Sequence, residues 1–185
     1  DSSRGGITLW PRKFTLYNYQ TLLTRSQIYH ATLVSAARTI LSTVLGTFCT
    51  AMAAYIISRR EFVFRRLVSF IYVLTMYIDG GLVPTYFLMR SLGLVNSFWV
   101  YVVPGLVSAF NLIVIRTYIA GLSDSYVESA RIDGAGEFTI FLRIILPLCK
   151  PVLATIALFI AVDNWNAWFD TFLYNSANAQ LSTLQ

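Results

Sequence analysis

The chain has 185 residues, of which 56% are hydrophobic and only 12% charged, against about 25% charged in an ordinary soluble domain. That argues against a soluble globular domain and against disorder. The net charge of +5, from fourteen Lys and Arg against nine Asp and Glu, suits arginines at the cytoplasmic ends of membrane helices better than a nucleic-acid surface.

At about 20 mostly apolar residues per bilayer crossing, four spans fit. The chain starts at Asp1, shows no signal-peptide pattern and stops at Leu184-Gln185 without a polar tail, so it reads as a segment of a longer protein. Residues 1–31, with Trp10-Pro11 and the aromatic 17–23 stretch, are too broken to cross and are expected as an extracytoplasmic, interfacial segment. His30, the one histidine, reads as solvated. The first span is expected over 32–58, its 39–58 portion uncharged between Arg38 and Arg59. Along it Ser42, Gly46, Thr50, Ala54 and Ser58 recur every fourth position, a shallow strip on which another helix packs closely. The second span, 67–89, is interrupted only by Asp79, and a tight turn with Gly93 and Asn96 leads into the third, 98–118. The fourth, 151–170, is apolar except for Asp163 as far as Phe169. Cys49 and Cys149 have no CxxC spacing and read as free thiols.

Short loops rich in arginine stay in the cytoplasm. Arg59, Arg60, Arg65 and Arg66 lie between the first two spans, and Arg116, Arg131, Arg143 and Lys150 flank the interval between the last two. Both regions are therefore expected on the cytoplasmic side.

The interval 121–150 is too long for a simple connection and too patterned for disorder. Ser125-Tyr126-Val127-Glu128 reads as a capping box that starts a short helix. Gly134 stops it, Ala135 and Gly136 form an elbow, and helical patterning resumes from Glu137 until Pro147.

Glu128-Ser129-Ala130, three residues, Gly134, nine residues, Ile144, one residue and Leu146-Pro147 resemble the EAA loop of binding-protein-dependent ABC importer permeases. The resemblance extends through Gly80 to Tyr86, Leu92-Gly93-Leu94, Pro104-Gly105, Asn111-Leu112-Ile113 and Trp165 to Phe169. It is nearest to the carbohydrate permeases of the maltose type, in the complex-oligosaccharide subgroup. Ser129 in place of alanine, Asp79 before Gly80, and Leu181 to Gln185 at the close depart from that pattern.

The resemblance implies an all-α polytopic transmembrane bundle of the type I ABC importer permease fold, here with about four of six spans and a cytoplasmic coupling helix. It implies a multi-pass protein of the bacterial inner membrane that forms part of a carbohydrate pathway. Its implied partners are a pair of cytoplasmic ABC ATPases, a second permease subunit and an extracytoplasmic substrate-binding protein. Glu128, Ser129, Ala130, Asp133, Gly134, Ala135, Gly136 and Pro147 would couple it to the ATPase. No GxxxxGK(S/T) phosphate loop occurs in the chain, so no cofactor is expected on it, ATP and Mg being held by the partner.

Ionisable residues within spans are costly and default to functional candidates. Asp79 and Asp163 each lie about 18 Å outward from the inner start of their spans. With Asn164, Trp165, Asn166 and Trp168 they mix directional polar groups with flat apolar faces, as a sugar requires. The same tryptophans suit interfacial anchoring. Asn111 could line the route or bond a neighbouring helix, the latter preferred. A permease for another small solute and a channel are the alternatives. A membrane enzyme is poorly served by one histidine and no clustered carboxylates, and no catalytic or metal-ligating set is expected.

Overall fold

A computed structural model describes residues 20, 26–176 and 178–184. Of the expected interfacial segment 1–31, residues 1–19 and 21–25 lie outside the described residues, while 26–31 belong to the first helix. Among those described there are helices and turns and no strands.

Helix α1 (Ser26–Ser58) runs without interruption and is the one helix among the described residues long and apolar enough to cross a bilayer by itself. It begins six residues before the expected span. Its small residues explain how its neighbours sit. Ser42, Gly46, Thr50 and Ala54 are all buried, on the side where α4 (Ala109–Ala120) and α7 (Lys150–Asn166) pack. A methyl group built on Gly46 would stand 3.5 Å from Ile160 Cδ1 and 3.8 Å from the Gly105 carbonyl oxygen. The hydroxyls along the strip donate to backbone: Thr50 Oγ1 to Leu106 O at 3.1 Å and Ser42 Oγ to Tyr101 O at 3.4 Å. Apolar solvent on the outside gives helices no hydrophobic reason to associate in lipid, so close backbone contact and such hydrogen bonds must supply it.

Where one continuous helix is expected over 67–89, the structure has two. Helix α2 (Arg65–Thr75) stops, and α3 (Leu82–Ser91) starts after a break at 76–81. The break has a local cause. Gly81 takes a left-handed φ of 82°, which a side chain resists, and Asp79 Oδ1 accepts the Gly81 N–H at 3.1 Å. The turn expected around Gly93 and Asn96 is present, with φ of 69° and 59°.

The third expected span is also not straight. Two 3₁₀ turns, Phe98–Tyr101 and Val103–Gly105, bend 45° into α4, where Pro104 and Gly105 interrupt regular helix. Next in the chain are α5 (Ser125–Ile132) and α6 (Glu137–Leu148), the latter with a π-helical middle over Phe141–Ile145. An 83° bend separates α6 from α7, and α8 (Phe169–Tyr174) is followed by a 3₁₀ turn at Ala179–Leu181. One uninterrupted helix and two bent pairs thus pass as up to three crossings by length and composition, against the four expected; 67–89 is the one that the break divides.

One core joins α1, α4, α5, α6 and α7 through buried Ala54, Leu112, Val127, Phe141, Ile145 and Ile156. A second, at the other end of α1, gathers Met89, Val100, Tyr101, Val102 and Tyr174. Gly46→Leu should push α7 and the Gly105 backbone off α1 and cost about 1–3 kcal/mol, whereas Gly46→Ala should be nearly neutral. Unfolding followed in detergent for both variants checks the difference.

Candidate functional site

The elbow begins where α4 ends at Ala120. Helix α5 starts after Asp124 without a side-chain cap, so the expected capping box does not form. The hydroxyl that accepts the Ser125 N–H belongs to Ser123, at 3.3 Å. Glu128, its own N–H bonded to the Asp124 carbonyl at 3.0 Å, instead presents an exposed side chain to a cleft of about 120 Å³ shared with Arg59, Arg60, Glu61 and Arg131.

The end of α5 is as the sequence suggests. Gly134 has φ 79°, its N–H reaches Arg131 O at 3.0 Å, and the Ala135 N–H reaches Ala130 O at 2.9 Å. That pair of bonds with a left-handed residue is a Schellman stop. Val127 and Ala130 point into the chain's own core, at 2% and 7% exposure. Ala130 therefore serves packing within this chain. The outward face consists of Tyr126, Ser129, Ile132 and Asp133, with Ile132 86% exposed. A methyl group built on Gly134 or on Gly136 would meet nothing within 4 Å, Ala135 is half-buried, and Pro147 is exposed.

Charge holds the elbow to the loop between α1 and α2. Arg131 donates to Glu137 Oε1 from Nε at 2.9 Å and Nη2 at 2.7 Å, and to Glu61 Oε1 from Nη1 at 2.5 Å. Tyr55 OH donates to Glu137 Oε2 at 2.7 Å, and Arg60 pairs with Asp124 at 3.3 Å. The two arginine-rich regions thus occupy one end of the molecule, as the expectation that both are cytoplasmic requires.

Toward the other end of α1 lies an open space whose largely apolar walls carry a few polar side chains. Arg38, which falls within the expected first span at the edge of its uncharged portion and was not singled out there, is inside the helix and 2% exposed. Its guanidinium donates to the carboxylate of Asp170, to Ala167 O at 2.7 Å and to Asn164 Oδ1 at 3.5 Å, and lies 4.6 Å over the Tyr101 ring. Tyr101 OH in turn donates to Leu181 O at 2.8 Å. Arg38, Tyr101, Asp163, Asn164 and Asp170 line a space of about 340 Å³. A neighbouring space of about 720 Å³ shares Gly105, Asp163 and Asn164 and adds Asn111, Ser108 and Phe110.

Of the seven pathway residues expected, the structure brings together Asn111, Asp163 and Asn164. Asp79 lies on the α2/α3 break, exposed and engaged with the Gly81 N–H, and lines neither space. Trp165 and Asn166 are exposed, and Asn166 Nδ2 donates to Val162 O of its own helix at 2.9 Å. Trp168 lines a different cavity of about 700 Å³ with Phe172 and Asn175. The residues that sequence reading missed are Arg38, Tyr101 and Asp170. A signal existed: helical patterning from Ser26 would have put Arg38 a dozen residues inside α1, where a charge needs a partner.

Residues 42–169 match the family described as binding-protein-dependent transport system inner membrane component. The polygalacturonan/rhamnogalacturonan transport system permease protein YtcP of Bacillus subtilis is 38% identical over 172 residues, covering 93% of this chain and 60% of the relative. Protein LplC of the same organism is 37% identical over 172 residues, with 93% and 58% covered. Among solved structures, a bacterial ABC transporter involved in the import of the acidic polysaccharide alginate superposes with a TM-score of 0.84 at 30% identity, over 100% of this chain and 65% of that one. The chain spans about three fifths of the length of the two Bacillus relatives.

Asp170→Ala would leave the buried Arg38 guanidinium without its carboxylate. Because Asp170 is itself 39% exposed, the expected cost is about 2–3 kcal/mol, below that of breaking a fully buried pair, and Arg38→Met with Asp170→Leu should recover part of it. Thermal unfolding of the single and double variants in detergent measures both.

Proposed function

The chain belongs to the family of binding-protein-dependent transport system inner membrane components, and on that premise we propose that it is the permease subunit of an ATP-driven importer for carbohydrates. Oligosaccharides are the substrate class favoured, because relatives named for arabinooligosaccharides, alpha-glucosides and diacetylchitobiose are 28% to 33% identical over at least 84% of this chain. A pair of cytoplasmic ABC ATPases supplies the energy, since the chain has no phosphate loop. A second permease completes the pathway, and an extracytoplasmic binding protein delivers the solute.

The observation that carries this reading is the elbow. A channel has no use for a structured projection between two crossings, whereas a pump driven by a separate motor does. Helix α5 is seated on the permease core by Val127 and Ala130 and turns Tyr126, Ile132 and Asp133 outward, so it is attached on one face and free to be gripped on the other. Glu128, in a cleft beside Arg59 and Arg60, is available to a basic group on the ATPase. Gly134 and the small residues after it leave room for close approach.

Substrate would pass the two adjoining spaces that share Asp163 and Asn164, one lined also by Asn111 and the other by Tyr101. Amide and carboxylate groups orient sugar hydroxyls, and the aromatic and aliphatic walls meet its C–H faces.

Gly134→Leu tests the coupling role. A side chain at φ 79° costs about 1–2 kcal/mol locally and fills the space beside the outward face. Expected are normal membrane insertion, loss of the ATPase from the purified complex or of its stimulation, and uptake reduced at least tenfold. Undiminished ATP-driven uptake of labelled oligosaccharides in the variant would refute the assignment.

A further inference from the structure

Resting on the reading of α5 as the helix gripped by the ATPase, we propose that Arg131 and Glu137 are positioning residues that tie α5 to α1. Movement of the elbow then reaches the uninterrupted span through Tyr55, and not only along the backbone into α4 and α7.

The backbone route out of α5 is compliant. Toward α7 it passes Gly134, Ala135 and Gly136, whose backbone turns through a left-handed residue and whose side chains offer little to resist bending. The polar route is not. One carboxylate, on α6, is used on both oxygens by two other elements: Oε1 receives two N–H groups of Arg131 from the last turn of α5, and Oε2 receives the Tyr55 hydroxyl of α1. Paired N–H donation to a single carboxylate constrains direction as well as distance. The Tyr55 hydroxyl first, and Arg131 after it, hold the Glu137 carboxyl below the ordinary carboxylate range, so it is charged at neutral pH. Tyr55 is 4% exposed, its ring 5.5 Å from that of Phe141 and under Arg59 at 4.8 Å, so it transmits displacement to α1 and does not absorb it. Arg131 also holds Glu61, which adds the α1/α2 loop to the same body.

Exposed ion pairs contribute little to stability one at a time. Replacing Arg131 or Glu137 should therefore leave the fold intact, and Tyr55→Phe keeps the buried ring and removes only the hydroxyl, so each change alters what the elbow moves more than it alters the fold.

The test uses the full importer, assembled with its ATPase and binding protein in proteoliposomes, with uptake and ATP hydrolysis measured on one preparation. Tyr55→Phe, Glu137→Gln and Arg131→Met should each still co-purify with the ATPase and melt close to the wild type, yet import roughly fivefold less solute per ATP. Tyr55→Phe combined with Glu137→Gln should be no worse than the poorer single variant, since both break one path. Arg131→Lys, which keeps the charge and loses the fork, should fall between wild type and Arg131→Met. Uptake per ATP unchanged in all three single variants overturns the tie, as does loss of the ATPase from the complex, which would make these residues part of docking. A wild-type complex without solute-dependent ATP hydrolysis would overturn the importer reading along with it.

Discussion

The close approach of α4 and α7 to α1 is the constraint on which the other features depend. It exists because Ser42, Gly46, Thr50 and Ala54 leave α1 with a face of almost no side-chain height, so that Ile160 and the Gly105 backbone settle within van der Waals reach of it. In lipid, where apolar surface gains nothing by association, such a face is what holds a helix against its neighbours. Two polar anchors are placed by this packing, one toward each end of the same helix. Arg38 holds α8 and the end of α7; Tyr55 holds α6 and, through Glu137, α5. They are seventeen residues apart, about 26 Å of helix.

On the proposed reading, that arrangement gives α1 a place in function that its uniform hydropathy conceals. The cavity carrying Asp163 and Asn164 is walled on one side by Arg38, and the projecting elbow is moored at Tyr55. A rigid rod with a polar attachment at each end is a simple way to relate a cytoplasmic displacement to the shape of a solute route. The other candidate crossings are broken: by Gly81 and Asp79 between α2 and α3, by Pro104 and Gly105 before α4, and by the 83° turn before α7. Irregular backbone at membrane depth is tolerated where it is buried in protein or borders a cavity, and Gly105 borders both of the spaces lined by Asp163 and Asn164.

The elbow was legible in outline because its signals are local. Gly134 stops α5 as glycine stops helices generally, Pro147 limits the helical stretch that starts at Glu137, and the EAA-like spacing named the family to which the chain belongs. The start of α5 was not legible in the same way. Ser123 and Ser125 are two residues apart and equally suited to accept a backbone N–H, and which of them does so depends on where α4 ends. The orientation of α5 was hidden for a related reason: Ala130 suggests room for a partner, yet the core formed by α1, α4 and α6 takes that room.

By itself, the sequence determined that this is a helical membrane protein, roughly where its apolar stretches lie, which loops share a side, and that a structured elbow joins the last two. Those conclusions come from composition, glycine and proline, and charge density, each a property of a short stretch of chain. Tertiary structure alone decided that Asp170 is the counter-ion of Arg38, that Asn111 and Asp163 border one space while Asp79 does not, and that one glutamate links α5 to α1. Each of these joins residues far apart in the chain, 132 positions in the case of Arg38 and Asp170, and a charge shows no sign of its partner until helices bring the two within hydrogen-bonding reach.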